Sequence, residues 1–286
     1  MVKDVSPGKM NVVSDRIRQL WMVAAGVSLL LIPVRLFGEQ ESTLLSKEGV
    51  RQFLLTAEVI KSEEIGKGLT HPWRLTLTDG NLTHDASFQD VNIRTQEAGF
   101  AGGGRELNFA DSYHYNIAAY ELARLLGIDD MVPVTVEREW QGKKGSLSWW
   151  VDVKMDEEER LKKGLVPPDT HAWNLQMRKV FLFSQLVYDT DRNVQNILIS
   201  EDWKIWMIDF TRAFRTVRKL QDEKVLLKCE RTLLDQLRAL ADNDVTGVAG
   251  DHLTKWEIDA LMARRKLIVS RFDKLISEKG DAQVLY

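Results

Sequence analysis

One stretch carries the residues best suited to chemistry: YDTDRNVQNILISEDWKIWMIDFTRAF, residues 188–214. Within it Asp191 is followed five positions later by Asn196, and thirteen after that by Asp209. The set fits phosphoryl transfer. Asp191 would orient an attacking hydroxyl or accept its proton. Asn196, through its amide oxygen, and Asp209 would hold Mg2+ (or Mn2+) against phosphates, because hard divalent cations take oxygen ligands. A plain polar loop capped by Asx turns would use the same residue types, with Asp209 as an ordinary strand-end residue.

The elements that must position these residues are legible nearby. Residues 171–188 read as a long helix rich in Leu, Val and Phe. Two short apolar strands follow, 196–199 and 205–208. Asp191 and Asn196 thus sit in a loop after a helix. Asp209 ends a strand and precedes Phe210.

Upstream, 56–60, 73–78 and 84–93 read as strands, with Asp79-Gly80 as a hairpin turn between the last two. Residues 99–104 (GFAGGG) are a break leading into a helix over 111–126, capped by Asp111 or Ser112 and closed by Gly127. Strands over 132–139 and 146–153 flank a turn at 141–145, and 156–163 is a short charged helix ended by Pro167-Pro168. Leucine spacing predicts amphipathic helices over 217–240 and 254–277. A β-rich half followed by a helical half is an α+β pattern with a cleft between the lobes.

The spacing from Asp191 onward matches the H-R-D-x-x-x-x-N … D-F-G pattern of protein kinases. The segment Asp191-Arg192 … Asn196-Ile197-Leu198 … Ile208-Asp209-Phe210 resembles the D-R-H-x-x-N-I-L … I-D-F signature of phosphatidylinositol 3-/4-kinase-like enzymes. Residues 209–214 (DFTRAF) resemble the D-N-G-R-x-F segment of secretory-pathway casein kinases. AAYELARLLGIDDMVPVTVER is similar to a block shared by those secreted kinases and bacterial toxin serine kinases. The resemblance spans roughly residues 55–215. It implies a two-lobed protein-kinase-like fold with an N-lobe over 40–155 and a helical C-lobe over 156–286, preceded by the segment over 1–39 that hydropathy reads as a signal or anchor. It also implies ATP and Mg2+ (or Mn2+) as cofactors and γ-phosphoryl transfer to a hydroxyl acceptor on protein, lipid or small molecule. Asp191 would be the catalytic base, with Asn196 and Asp209 as metal ligands. Arg192 would brace the loop or pair with phosphate.

The departures from the pattern matter. By similarity to A-x-F-K, the slot for the phosphate-pairing lysine in HDASFQDVNIR falls on Gln89, which is neutral. Arg94, five residues on, would face the other side of the strand. The helix should carry a glutamate for that lysine; Glu121 is available, while Asn116 is the other occupant of the slot. Gly66-Lys67-Gly68, between the first two strands, stands where a phosphate-cradling loop belongs, and Lys67 would replace the lost charge. An ordinary hairpin loop would look the same. Val151 and Val153, beside Trp149-Trp150, would line the nucleotide cleft. Thr211 replaces the glycine of D-F-G, and Asn193 replaces the histidine of the lipid kinases. Two alternatives therefore stand beside an active kinase. One is a pseudokinase that binds nucleotide or acts as a scaffold. The other is a membrane-tethered binding protein without nucleotide.

Composition bounds the rest. The chain has 286 residues, 44 % hydrophobic and 28 % charged, with a net charge of −3. That is a globular balance with no global attraction to nucleic acid, and no nucleic-acid partner is expected. The single cysteine, Cys229, allows no intrachain disulfide and reads as a small buried residue. The five histidines show no metal-ligand spacing in sequence. Residues 19–34 are uncharged and nearly all apolar, preceded by Arg16 and Arg18, which predicts an exported or membrane-anchored chain. Without that role for the segment, the protein would be cytoplasmic.

Overall fold

The computed structural model describes residues 46–66, 72–99 and 105–286. The predicted anchor at 19–34, together with Lys67, Gly68 and residues 100–104, lies outside the described residues.

The N-terminal half opens with helix α1 (Lys47–Thr56), capped where the Ser46 side chain accepts from the Gly49 amide. Strands β1 (Glu58–Glu64), β2 (Trp73–Thr78), β3 (Thr83–Gln89), β6 (Thr135–Trp140) and β7 (Lys143–Trp149) form an antiparallel sheet. Its order is β1-β2-β3-β7-β6. Alternation explains why it holds. Leu75, Leu77, Ala86, Phe88, Val136 and Leu147 recur at period two and are buried. Helices α1 and α2 (His114–Leu125) cover this sheet. Asp79 makes the turn between β2 and β3, its carboxylate accepting from the Asn81 and Leu82 amides at 2.9 and 2.8 Å. Between β3 and α2 a separate hairpin is inserted, made of β4 (Asn92–Gly99) and β5 (Arg105–Ser112).

The C-terminal half holds a small sheet of β8 (Met155–Asp156), β9 (Ile197–Ile199) and β10 (Ile205–Met207). Its helices are α3 (Glu157–Lys162), α4 (Thr170–Val187), α5 (Arg231–Ala239), α6 (Asp242–Ala249), α7 (Lys255–Lys279) and α8 (Asp281–Val284). On α7, Ile258, Leu261, Ile268, Phe272 and Leu275 form a stripe at helical spacing and are buried. Facing it, α4 buries Val180, Phe183 and Val187. Each such side chain contributes about 1.5–3 kcal/mol when removed from water.

Four expectations need correction. Asp111 and Ser112 do not cap α2: they end β5, where the Ser112 amide donates to the Thr211 carbonyl at 2.8 Å. Ladder pairing has claimed the backbone that a cap would need. The glycine-rich stretch is not a linker into the helix, because pairing up to Gly99–Arg105 makes residues 100–104 the connection between β4 and β5. The turn between β6 and β7 has two residues, not five: Gln141 and Gly142 both adopt positive φ, as a tight hairpin turn requires. Residues 217–230 are not α-helical and hold only a 3-10 turn over Glu223–Val225. There the Asp222 amide donates to Gln185 Oε1 at 2.9 Å and Gln221 Nε2 donates to the Asp189 carbonyl at 2.8 Å. These bonds tie the segment to α4 and its following loop.

Candidate active site

Helix α4 ends at Tyr188, which turns the chain through a left-handed conformation (φ 51°) into the loop carrying Asp191. Asp189 is buried there and accepts from the Asp191 amide at 3.0 Å. It also forms an ion pair with Arg192 at 2.6 Å. Arg192 braces the loop and does not reach outward. Its Nη1 donates to the carbonyls of Asn196 and Ile208, each at 2.7 Å, and its guanidinium lies 4.4 Å above the Phe210 ring.

Asn193 caps a short 3-10 turn (Val194–Asn196), accepting from the Gln195 and Asn196 amides. Asn196 Nδ2 donates to the Asp191 carbonyl at 3.0 Å, so the amide is turned with Oδ1 away from that bond. The Ile208 amide donates to the Asn196 carbonyl at 3.2 Å. Asp191, Asn196 and Asp209 are therefore brought together by one braced backbone unit.

Asp209 holds a positive φ of 55°, a strained conformation for a non-glycine residue. Burial pushes its carboxyl above the usual range, against the pull of the Thr211 hydroxyl and Arg192. Thr211 Oγ1 donates to Asp209 Oδ1 at 3.0 Å, a role glycine could not fill.

Sequence reasoning missed Asp111. It sits on β5, close enough to Asp191 and Asp209 for their charges to be felt. Its Oδ1 is buried with no hydrogen-bond partner. Burial raises its carboxyl too, opposed by Thr211, Arg212 and Arg215. A buried carboxylate oxygen without a donor, beside a second destabilised carboxylate, fits a hard divalent cation. No sequence signal marks Asp111, because its position depends on the inserted hairpin.

Gln89, expected to fill the lysine slot, stands at the end of β3. Its partner is Asn116. Asn116 Nδ2 donates to Gln89 Oε1 at 2.6 Å and to Ser146 Oγ at 3.1 Å, while Asn116 Oδ1 accepts from the Phe210 amide at 2.7 Å. Glu121 is not in this group. It pairs with Arg51 of α1 at 2.6 Å and with Arg124 at 3.1 Å. One and a half turns along α2 from Asn116, it points to another face. Arg94 is also elsewhere, paired with Glu257 of α7 at 2.9 Å.

Val151 and Val153 lie in the strand-free segment that joins β7 to β8. Trp149 stacks on His84 with centroids 3.4 Å apart, and Trp150 lies under the Arg74 guanidinium. Gly66 follows β1, and the adjacent Ile65 amide donates to the Pro72 carbonyl at 2.8 Å, closing the β1–β2 connection.

No protein-family model matches the chain, and no curated protein sequence matches it. Solved structures do. Hydra Fam20 with sugar is similar at a TM-score of 0.59 and 14% identity, over 82% of this chain and 90% of that one. The Golgi casein kinase with Mn/ADP bound is similar at 0.57 and 13% identity, over 84% of this chain and 78% of that one. The chain has the two-lobed α+β fold of the protein-kinase-like atypical kinases.

Proposed function

We propose that this protein is an atypical kinase, transferring the γ-phosphoryl group of ATP to a hydroxyl acceptor. The observation that carries this reading is the braced unit of Asp191, Asn196 and Asp209, with the partnerless Asp111 oxygen beside Asp209. Asp191 holds the acceptor hydroxyl and takes its proton. Asn196 Oδ1, Asp209 and Asp111 supply the oxygens that would hold Mg2+ or Mn2+. When bound, the ion neutralises charge on the phosphates. Arg192 keeps the loop in register and leaves phosphate contact to other groups. Gly66, Lys67 and Gly68 cradle phosphates from the β1–β2 connection, and Val151 and Val153 flank the base. The lobes divide near residue 155, and residues 1–39 act as a signal or anchor. No helix among the described residues is long and apolar enough to cross a membrane.

A pseudokinase is the second reading, and one observation favours it. The Gln89–Asn116 pair is neutral and mutually satisfied, so no cation stands where the kinase pattern places one on β3. Thermal melting of the full chain with ATP and Mg2+ or Mn2+ tests both. A rise in Tm that Asp209→Ala abolishes supports nucleotide binding in this cleft. Phosphate transfer from labelled ATP that falls about 100-fold or more in Asp191→Ala supports the kinase. A Tm rise without transfer selects the pseudokinase. No response to either metal–nucleotide pair rejects the kinase and the nucleotide-binding pseudokinase, leaving the scaffold.

A further inference from the structure

Two histidines and a glutamate far apart in sequence meet away from the Asp209 carboxylates. His114 opens α2, Glu137 lies on β6, and His252 lies in the loop between α6 and α7. Among the described residues they are the one group of three His, Cys, Asp or Glu side chains whose ligand atoms all lie within 4.8 Å of one another. The Nδ1 atoms of His114 and His252 are 3.1 Å apart. Glu137 Oε2 is 3.9 Å from the first and 4.0 Å from the second.

A tetrahedral zinc with bonds of ~2.0–2.1 Å sets its ligand atoms about 3.3–3.4 Å apart. The imidazole pair already stands near that spacing. The carboxylate oxygen needs to approach by about half an ångström, within the reach of a rotamer adjustment.

The surroundings orient these ligands. Lys144 holds the other Glu137 oxygen at 3.3 Å, and the Tyr113 hydroxyl donates to Oε2 at 3.5 Å. The Tyr113 ring stacks on His114 with centroids 4.1 Å apart. Such outer contacts fix ring and carboxylate directions. Beside the trio opens a cavity of about 430 Å³, lined by Asn92, Arg94, Asp251 and Thr254 as well as both histidines. It leaves room for a water, or for Asp251, in a fourth position. The nearest cations are already engaged, Arg94 by Glu257 and Lys144 by Glu137. Burial also holds both imidazoles below the usual histidine range, which favours neutral rings that each offer one nitrogen lone pair.

We propose that His114, Glu137 and His252 form a binding site for a divalent transition metal of the zinc type. The ion would clip the first turn of α2 to β6 and to the C-lobe loop. Two residues further along that turn stands Asn116, which holds Gln89 and the Phe210 amide. Occupancy would therefore steady the helix that positions the loop of Asp209.

The test is a titration of chelator-treated full-length protein with Co2+, followed by displacement with Zn2+. One equivalent of Co2+ is expected to bind with the visible absorption of a four-coordinate nitrogen–oxygen site, and Zn2+ is expected to raise Tm by several degrees. His114→Ala and His252→Ala should each weaken Co2+ binding roughly a hundredfold, and Glu137→Gln roughly tenfold. Asp209→Asn should leave the absorption and affinity unchanged, which separates this site from the nucleotide cleft. Glu137→Gln conserves shape on a half-exposed side chain and decides the matter if the histidine variants do not fold. Absence of the Co2+ absorption overturns the proposal, leaving a simple imidazole–imidazole hydrogen bond. So does a Co2+ affinity that Glu137→Gln leaves unchanged, or one that Asp209→Asn abolishes.

Discussion

Asn116 of α2 donates from Nδ2 to Oε1 of Gln89, at the end of β3, over 2.6 Å. The sequence resemblance puts the expected lysine and glutamate slots of the kinase pattern at these positions. Here a neutral amide pair occupies them, and the same asparagine accepts from the Phe210 amide. Strand, helix and the Asp209 loop thus share one side chain.

Removing that side chain should be costly. Asn116→Ala leaves the Phe210 amide without its acceptor and Gln89 without its donor, in buried surroundings. A loss of about 2–4 kcal/mol is expected, read as a lower urea midpoint with unchanged slope. The metal–nucleotide response should weaken with it.

Asp209 sets a trade of stability against binding. Its folded carboxyl is raised above the ordinary value of 3.8. The native state therefore binds a proton more readily than the unfolded chain. The stabilisation from that proton is fully present below 3.8 and is lost as pH rises through the folded value. Without added metal, Tm should fall as pH climbs through that window. Asp209→Asn should flatten the profile and raise Tm at neutral pH, while losing the response to Mg2+ and ATP.

Gly145 on β7 faces β3 too closely for any side chain. An added Cβ would sit 2.4 Å from the Gln89 carbonyl oxygen and 2.7 Å from the Phe88 ring. Gly145→Ala should cost about 1–3 kcal/mol, measured by chemical denaturation, because backbone must shift. The shift falls on Gln89, so the Asn116 contact should be disturbed as well.

Arg264 on α7 is wholly buried, and its partners are carbonyls. Its Nε donates to Leu186 and its Nη1 to Arg215, each at 2.8 Å. Burial lowers its guanidinium to about 9, opposed by Tyr188, over whose ring it lies. These bonds anchor the end of α4 and the segment after Asp209. Arg264→Ala strands those carbonyls and opens a cavity, so a loss of about 3–5 kcal/mol is expected in equilibrium unfolding.

Much of the local structure was legible. Strand β2 falls on the predicted 73–78, and α4 begins and ends within a residue of its prediction. The spacing of Asp191, Asn196 and Asp209 places them in the expected loop and strand end. The inserted hairpin was not legible, because β4 is exposed along most of its length and lacks the alternation that burial imposes. With the hairpin went Asp111, read as a helix cap.

Sequence alone determined most of the regular elements and the order of the chemical residues, because helix period, turn residues and the 191–209 spacing depend only on neighbours along the chain. Tertiary structure decided the partners. Gln89 met Asn116 and not Glu121, Asp111 came to Asp209, and His252 reached His114 across 138 positions of sequence. Such meetings follow from which faces of sheet and helix are buried against one another, and no local pattern encodes them.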